Sequence, residues 1–259
     1  MNPPASPAKQ SSLFIRSFAK AFTVLEAFDT PVQFLGLTEI SEITGLDKST
    51  VQRVVHTLHQ LGYLERDPDS RRYCLGKALL GLTFSYLRSN PIVARATPTL
   101  IDLRRTVQER VGLSLWNHLE LIYAVRLQSK RETFFSTLIG RRMPMYCTSG
   151  GRAVLSQLPE AEARALLEDC DRTKQTAHTL TDVDDIMRKV GEAARQGYSM
   201  NVEEALAGEI TISAAVIAAH GRPAGALHVS ASLSDWEPDD FERQVAPLVV
   251  EAAQAINAR

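Results

Sequence analysis

Cysteine is scarce in this sequence, and the three cysteines are too far apart to suggest a pairing. Cys74, Cys147 and Cys170 are the only cysteines among 259 residues, and no two of them form a CxxC pair. Closely spaced cysteines are what a zinc knuckle or a small disulfide framework requires, so neither is indicated. We expect reduced thiols, no bound metal and no cofactor.

Long apolar runs are also missing. No stretch approaches the roughly 18 apolar residues that cross a bilayer, and the opening MNPPASPAKQSS has no apolar core of a secretory signal. We therefore expect a cytoplasmic protein with no membrane partner. Residues 1–12 are rich in proline and serine without periodicity, which predicts a flexible tail.

The chain has little net charge, at −1, which alone argues against a strongly basic nucleic-acid-binding domain. The balance is uneven: residues 1–90 carry ten Lys or Arg against eight Asp or Glu, and residues 91–259 carry nineteen against twenty-two. This bias is small, so the positions of the charges matter more than their sum. Length and a hydrophobic fraction of 44% indicate two domains, each with its own core.

Two short helices joined by a tight turn are predicted near the N-terminus. An amphipathic helix over Phe14–Phe28 ends before a proline, and the stretch LTEISEITGL follows, with Thr38 as a cap and Gly45 suited to end it. Asp47 can then cap a third helix from Lys48 to Leu61. A short helix, a glycine turn and a second helix are typical of a helix-turn-helix.

The Lys48–Leu61 helix has an apolar face and an opposite face without any carboxylate. Arginine and glutamine can contact base edges, and groups at a helix start can contact phosphate oxygens. An ordinary solvated face is the alternative interpretation of such a stripe. The residues that we predict to contact DNA on this helix are Lys48, Ser49, Thr50, Gln52, Arg53 and His56.

A β-hairpin wing is predicted after this helix, in GYLERDPDSRRYCLG. Tyr63–Leu64 and Tyr73–Leu75 can form its strands around the turn Asp67–Ser70. Its arginines, Arg66, Arg71 and Arg72, are predicted to meet phosphates. Three elements that agree favour a DNA-binding domain over residues 13–75, followed by a linker helix over residues 76–90.

Residues 91–259 predict a second, mixed α/β domain. A helix at about 91–110 precedes strands in GLSLWNHL and ELIYAVRL, the loop GRRMP and three helices. Strands resume in GYSMNV, EITISAAVIAA and AGALHVSA, and a helix from Asp239 closes the chain. His56 and His59 stand three residues apart but are better interpreted as residues of the polar helix face, and Glu203 and Glu204 as a solvated or capping pair.

The chain resembles IclR-type transcriptional regulators. The segments that carry the resemblance are RSFAKAFTVLEAF, LTEISEITGLDKSTVQRVVHTLHQLGYLERD, RRYCLG, GRRMPMYCTSGGRAVLSQLP and GYSMNVEEALAGEITISAAV, so it runs from about residue 13 to the end. It implies an α+β protein of two domains, an N-terminal winged helix-turn-helix and a C-terminal GAF-like effector-binding domain. It also implies a repressor or activator that binds a double-stranded DNA operator as a homodimer or a pair of dimers.

The resemblance also places a small-molecule effector site in the second domain. From the residues alone, TSGGRAVL is most simply a capped helix start, and a histidine on a strand is most simply a hydrogen-bonded core residue. The family pattern instead assigns Ser149, Gly150, Asn201, Thr211, His228 and Ser230 to the pocket, and Met143, Met145 and Leu227 are predicted as apolar walls. Asn201 and His228 replace a common aspartate and a common serine. Because His228 can become positive, we expect a small carboxylate effector, and PMYCTSGGR is similar to the branch that controls aromatic catabolism.

Two other classes of function are compatible with parts of the sequence. Cys147 precedes a helix start, a setting that lowers a thiol's pKa, and His178 or His228 would be its base in a cysteine-dependent enzyme. No surrounding motif supports this, so we predict that the protein is not an enzyme. A ligand-sensing module whose basic helix serves a protein partner is the second alternative.

Overall fold

The computed structural model describes residues 12–128 and 139–257, and the chain divides into two compact units between Tyr86 and Leu87. The predicted tail lies outside the described residues except for residue 12. Among the described helices, none is long and apolar enough to cross a bilayer.

The first unit contains three helices, a two-stranded hairpin and most of a fourth helix. These are α1 (Arg16–Glu26), α2 (Leu37–Thr44), α3 (Lys48–Gln60), β1 (Leu64–Arg66), β2 (Tyr73–Leu75) and α4 (Ala78–Ser89). Val24, Ile40, Val51, Val55 and Leu64 form the centre of its core. The strands pair antiparallel, so the predicted winged helix-turn-helix is present.

Two residues set the tight turn between α2 and α3. Gly45 ends α2 with φ of +68°, the left-handed conformation that glycine adopts without strain, and its N–H donates to Ser41. Asp47 caps α3 by accepting from the backbone N–H of Thr50 at 2.9 Å. Thr38 was expected to cap α2, but the N-cap is Gly36, whose N–H donates to the Glu39 carboxylate at 2.7 Å.

The second unit is built on a six-stranded antiparallel sheet of order β5-β4-β3-β8-β7-β6. Its elements are α5 (Pro91–Val107), β3 (Arg110–Asn117), β4 (Glu120–Leu127), β5 (Arg142–Pro144), α6 (Ser149–Leu155), α7 (Glu160–Asp169), α8 (Val183–Gln196), β6 (Ser199–Val202), β7 (Glu209–Ile217), β8 (Pro223–Ser232) and α9 (Pro238–Asn257). The segment predicted as the loop GRRMP contains β5, which pairs with β4 as a short edge strand.

The two faces of this sheet differ in chemistry. One face packs against α5 and α9 through an apolar core that includes Leu100, Leu113, Leu227 and Val249. The other face meets α6, and it buries serines, a threonine, an asparagine and a histidine from strands β3, β6, β7 and β8. Because successive side chains of a strand alternate between faces, each strand contributes to both.

Candidate functional site

The polar face of α3 is presented to solvent as predicted. Val51, Val55 and Leu58 are buried against the unit's core, whereas Lys48, Ser49, Gln52, Arg53 and His56 are exposed and Thr50 is half-buried. This face carries two cations and several hydrogen-bonding groups without an acidic side chain on the helix itself. It has the shape and chemistry that reading a DNA groove requires.

The start of α3 is pre-ordered by its cap. The hydroxyl of Ser49 donates to the Asp47 carboxylate at 2.6 Å, and this bond, followed by the Thr50 N–H, holds the pKa of Asp47 far below its usual range. Asp47 is therefore ionised at neutral pH and fixes the first turn of α3. Ser49 is accessible but already has a partner, so a contact with phosphate would compete with that bond.

The three arginines of the wing differ in exposure and in their partners. Arg66 and Arg71 are exposed on the hairpin, as a phosphate-contacting role requires. Arg72 is instead half-buried and forms an ion pair with Glu39 of α2 at 2.5 Å. Its guanidinium ties the hairpin to α2, so a phosphate contact by Arg72 would compete with this ion pair and stays a prediction.

His59 also differs from the prediction. Its Nδ1 lies 3.1 Å from the carbonyl oxygen of Leu64, and its ring meets Tyr73 edge-on. The imidazole thus joins α3 to the wing and does not belong to the exposed polar face. His56, three residues earlier, is exposed.

The candidate effector site lies on the polar face of the second unit's sheet, in two cross-strand rows. Asn201, Thr211 and Ser230 stand opposite one another on β6, β7 and β8. In the next row, Ser213 of β7 stands opposite His228 of β8. Residues opposite one another share a face, so register alone brings these polar groups together.

His228 occupies the centre of the site and is held from both sides. Its Nδ1 lies 3.0 Å from the Ser213 hydroxyl and its Nε2 lies 2.8 Å from the Ser114 hydroxyl. The Ser213 hydroxyl continues to that of Ser149 on α6, at 2.7 Å. This chain of hydroxyls and imidazole connects α6 to three strands.

The imidazole is neutral in this setting. Burial, followed by the nearby positive charge of Arg126, lowers the pKa of His228 to about 3. The expectation that His228 supplies a positive charge to the effector is therefore wrong for the unliganded chain, because a buried imidazole loses the hydration that stabilises its charged form.

The start of α6 packs directly on this histidine. Thr148 caps the helix by accepting from the Gly151 N–H at 3.1 Å. A β-carbon on Gly150 would stand 2.5 Å from Cε1 of His228, and one on Gly151 would stand 2.1 Å from the carbonyl oxygen of Met145. The two glycines therefore admit an imidazole and a neighbouring backbone. The imidazole fills the space beside Gly150, a residue that the family pattern assigns to the effector pocket.

A small cavity remains between α6 and the sheet, with a free volume of about 20 Å³, enough for one water-sized group. The predicted residues that line it are Met143, Ser149, Gly150, Asn201, Thr211 and His228. Lining residues that the sequence did not reveal are Ser114, Leu121, Tyr123, Thr148, Ala205 and Glu209.

Three predicted effector residues lie elsewhere. Leu227 belongs to the apolar core on the opposite face, because it neighbours His228 on the same strand. Met145 is buried in the core around α6 to α8 and does not line the cavity. Ser230 does not line the cavity, and its hydroxyl accepts from that of Thr211 at 3.0 Å. Two of these three predicted contacts, Leu227 and Met145, are core residues.

Asn201 orders the segment before α6. Its amide Nδ2 donates to the carbonyl oxygen of Cys147 at 2.5 Å, and the residue is buried. An aspartate here would be an acceptor only and could not make that bond unless protonated. Asparagine at this position is therefore neutral, and it adds no negative charge where an aspartate would.

A buried ion pair supports the site from behind. Both terminal nitrogens of Arg152 on α6 donate to the Glu204 carboxylate at 2.6 Å, and the Arg152 side chain is fully buried. Glu204 was expected to be a solvated or capping residue, which is wrong. Its position between β6 and β7 lets it hold the buried cation of α6.

Cys147 does not have the character of a nucleophile. It is fully buried in the apolar core around α6, and this burial raises the pKa of its thiol to about 12. A reactive cysteine requires an accessible, easily ionised thiol. The geometry therefore argues against the cysteine-dependent enzyme.

Comparison with known proteins agrees with both parts of the chain. Residues 17–68 match the IclR helix-turn-helix domain, and residues 84–258 match the domain described as bacterial transcriptional regulator IclR C-terminal. The chain is 28% identical to the Pca regulon regulatory protein of Pseudomonas putida, over 98% of this chain and 90% of that one.

Two further relatives match most of the chain. The chain is 30% identical to the HTH-type transcriptional regulator XynR of Escherichia coli (strain K12), over 89% of this chain and 93% of that one. An IclR homolog from Microbacterium hydrocarbonoxydans, solved in complex with 4-hydroxybenzoate, shares the fold with a TM-score of 0.76 and 24% identity, over 93% of this chain and 98% of that one. The solved structure supports the predicted fold, and the two curated relatives are named as regulators, which supports the prediction that the protein is not an enzyme. The chain belongs to the IclR family of DNA-binding transcriptional regulators.

Proposed function

We propose that this regulator reads its operator with the exposed face of α3 and anchors itself to phosphates with the wing. The observation that carries the proposal is the exposed, carboxylate-free side of α3, with Gln52, Arg53 and His56 facing solvent, followed by a hairpin on which Arg66 and Arg71 are exposed. Lys48 at the helix start and Arg66 and Arg71 on the wing supply phosphate contacts. Because its operator belongs to chromosomal DNA, we propose that the protein acts in the cytoplasm.

Operator binding can be measured by fluorescence anisotropy with a duplex from upstream of the protein's own gene and a scrambled duplex. Arg53→Ala removes a base-contacting group, and each good base contact is worth about 1–3 kcal/mol, so operator affinity should fall roughly 5- to 150-fold. Gln60→Ala is the matched control, because Gln60 is also exposed on α3 but lies at its far end. Equal affinity for operator and scrambled DNA would contradict the proposal.

The effector that we propose is a small organic acid, with an aromatic acid preferred. Support comes from the hydroxyl-rich cavity at α6, its apolar wall of Leu121 and Met143, and the aromatic acid bound by the Microbacterium hydrocarbonoxydans relative. A ring of benzene's size occupies engineered cavities of about 150 Å³, so side chains must move to admit it. Met143 is unbranched and well suited to move.

Thermal stability measured with matched acids and neutral analogues tests the effector class. Benzoate and 4-hydroxybenzoate should raise the melting temperature, because a ligand that binds only the folded chain stabilises it. Stabilisation by the corresponding amides alone would refute an acidic effector and would leave the DNA-binding proposal untouched.

We also propose that the chain acts as a homo-oligomer, a dimer or a pair of dimers. A groove of about 690 Å³ in the first unit is lined by residues around α1, α3 and α4, among which Phe18, Phe22, Leu61 and Leu82 are exposed. Its lining also includes the cations Arg16, Lys20 and Arg53. Exposed apolar surface of this kind marks interaction sites. Two subunits would place two α3 helices in successive major grooves of a palindromic operator.

Light scattering after size exclusion measures the assembly. Leu82→Glu should reduce the molar mass by disrupting the apolar contact, whereas Val32→Glu, exposed in the same unit but outside the groove, should not. A monomeric wild-type chain at micromolar concentration would overturn the oligomer proposal.

A further inference from the structure

Arg126 on β4 is a cation beside the effector site without an acidic partner among the residues that the structure describes. Two neighbouring arginines are already paired: Arg110 with Glu209, and Arg142 with Glu120. Arg126 instead places its guanidinium carbon 4.1 Å from the centre of the Tyr123 ring. Within the described part of the chain, no carboxylate neutralises its charge.

Strand register places Arg126 on the same face of the sheet as His228. Gly112 on β3 stands opposite Arg126 on one side and opposite His228 on the other, so the three residues share one row and one face. Because Gly112 has no side chain, the side chains of Arg126 and His228 approach the space beside it from the two neighbouring strands. Cδ of Arg126 and Cδ2 of His228 lie 3.4 and 3.7 Å from where a β-carbon on Gly112 would stand.

Arg126 and Tyr123 together flank the cavity from β4. Tyr123 lines the cavity and meets His228 edge-on, with ring centres 5.4 Å apart. Arg126 stacks on this ring and is half-buried. The planar guanidinium group carries a fork of N–H donors whose geometry matches a planar carboxylate.

The other sources of positive charge at the site are weaker. His228 is neutral, and α6 has only seven residues, with the Gly151 N–H already donated to Thr148. Arg110 is neutralised by Glu209, and Arg141 is exposed. Arg126 is therefore the side chain best placed to balance a carboxylate that enters the cavity.

We propose that Arg126 is the residue that selects carboxylate effectors, by forming a forked ion pair with the acid group while the apolar part of the effector replaces side chains in the cavity. The inference rests on the proposed effector site, and it adds the group that discriminates acids from neutral analogues of the same shape. Tyr123 acts as a positioning residue that holds the guanidinium plane.

Calorimetric titration of the full-length protein with 4-hydroxybenzoate and with 4-hydroxybenzamide tests this proposal. Arg126→Gln should weaken acid binding about 10- to 100-fold, as expected for loss of a charged hydrogen bond. Its affinity for the amide should change less than threefold. Arg105→Gln, which removes an exposed arginine from α5, should bind the acid as the wild type does.

A second variant guards against a folding defect. Arg126→Lys keeps the charge but loses the forked geometry, so it should bind the acid with an intermediate affinity. Unliganded operator binding should be unchanged in both variants, which shows that the chain is folded and that the DNA-binding proposal is judged separately.

The outcomes separate the two proposals. Wild-type binding of the acid together with equal binding by Arg126→Gln overturns the role of Arg126 and leaves the acidic effector in place. An Arg126→Gln loss that is just as large for the amide also overturns it, because that loss is not charge-selective. If 4-hydroxybenzoate, benzoate and succinate all fail to bind the wild type, the inference and the effector class fall together.

Discussion

Replacing Glu204 by glutamine should strongly destabilise the effector-binding unit. The carboxylate accepts from both terminal nitrogens of Arg152 at 2.6 Å, and it is the only acidic group paired with that fully buried guanidinium among the described residues. Arg152 Nε already has no hydrogen-bond partner among them. Removing one member of a buried pair leaves an uncompensated charge and costs about 3–5 kcal/mol.

Urea unfolding followed by tryptophan fluorescence measures this loss in the full chain. Trp116 and Trp236 are the two tryptophans of the sequence, and both lie in the second unit, so the signal reports on that unit. With a slope of about 2–3 kcal/mol per molar urea, the midpoint should fall by roughly 1–2.5 M.

The neighbouring carboxylate provides the matched control. Glu203 accepts from the backbone N–H of Gly208 at 2.7 Å near the surface, and glutamine can accept the same bond. Glu203→Gln should therefore shift the midpoint by less than about 0.5 M. If Glu204→Gln unfolds at the same urea concentration as Glu203→Gln, the ion pair does not stabilise the unit as argued here.

Three further predictions concern the site and the wing. Gly150→Ala forces a β-carbon against the His228 imidazole and should lower the free energy of unfolding by about 1–3 kcal/mol. Gly191→Ala, in helix α8 where a β-carbon meets only ordinary contacts, should leave it unchanged or raise it by up to about 1 kcal/mol. Urea unfolding midpoints measure both, and equal midpoints would contradict the close packing of Gly150 on His228. The native chain keeps His228 neutral down to pH about 3, whereas the unfolded imidazole takes up a proton below about 6.5. The unfolded state therefore binds more protons, and stability should fall by up to about 1.4 kcal/mol per pH unit as pH drops from 6.5. This contribution to the slope should vanish in His228→Asn, and an NMR titration midpoint near 6.5 in the folded chain would contradict it. Arg72→Ala and Glu39→Gln should weaken operator binding to a similar extent and no further when combined, because both act through one contact; a salt slope reduced by about one in Arg72→Ala alone would instead indicate a phosphate contact.

The sequence predicted the DNA-binding unit well because its signals are local. The apolar positions Val51, Val55 and Leu58 recur at helical spacing, and Gly45 and Asp47 specify the turn and cap within a few residues. The ion pair between Arg72 and Glu39 could not be predicted, since it joins residues 33 positions apart and depends on how the hairpin folds back.

The candidate effector site was predicted only in part, because the contacts among its residues depend on strand register. Alternation along β8 could have excluded Leu227 once His228 was assigned to the site, since neighbours on a strand point to opposite faces. Arg126 and Ser114 gave no local signal. They reach the site only because Gly112 aligns with both β4 and β8, and no property of the separate segments specifies that pairing.

The unequal faces of the antiparallel sheet bear on how such regulators diversify. With the proposed effector bound among the polar groups that face α6, substitutions there would change what the protein recognises and leave the hydrocarbon packing under α5 and α9 intact. Recognition and folding stability are thereby assigned to alternate positions of the same strands, so chemical specificity can drift through mutation without first requiring a new scaffold.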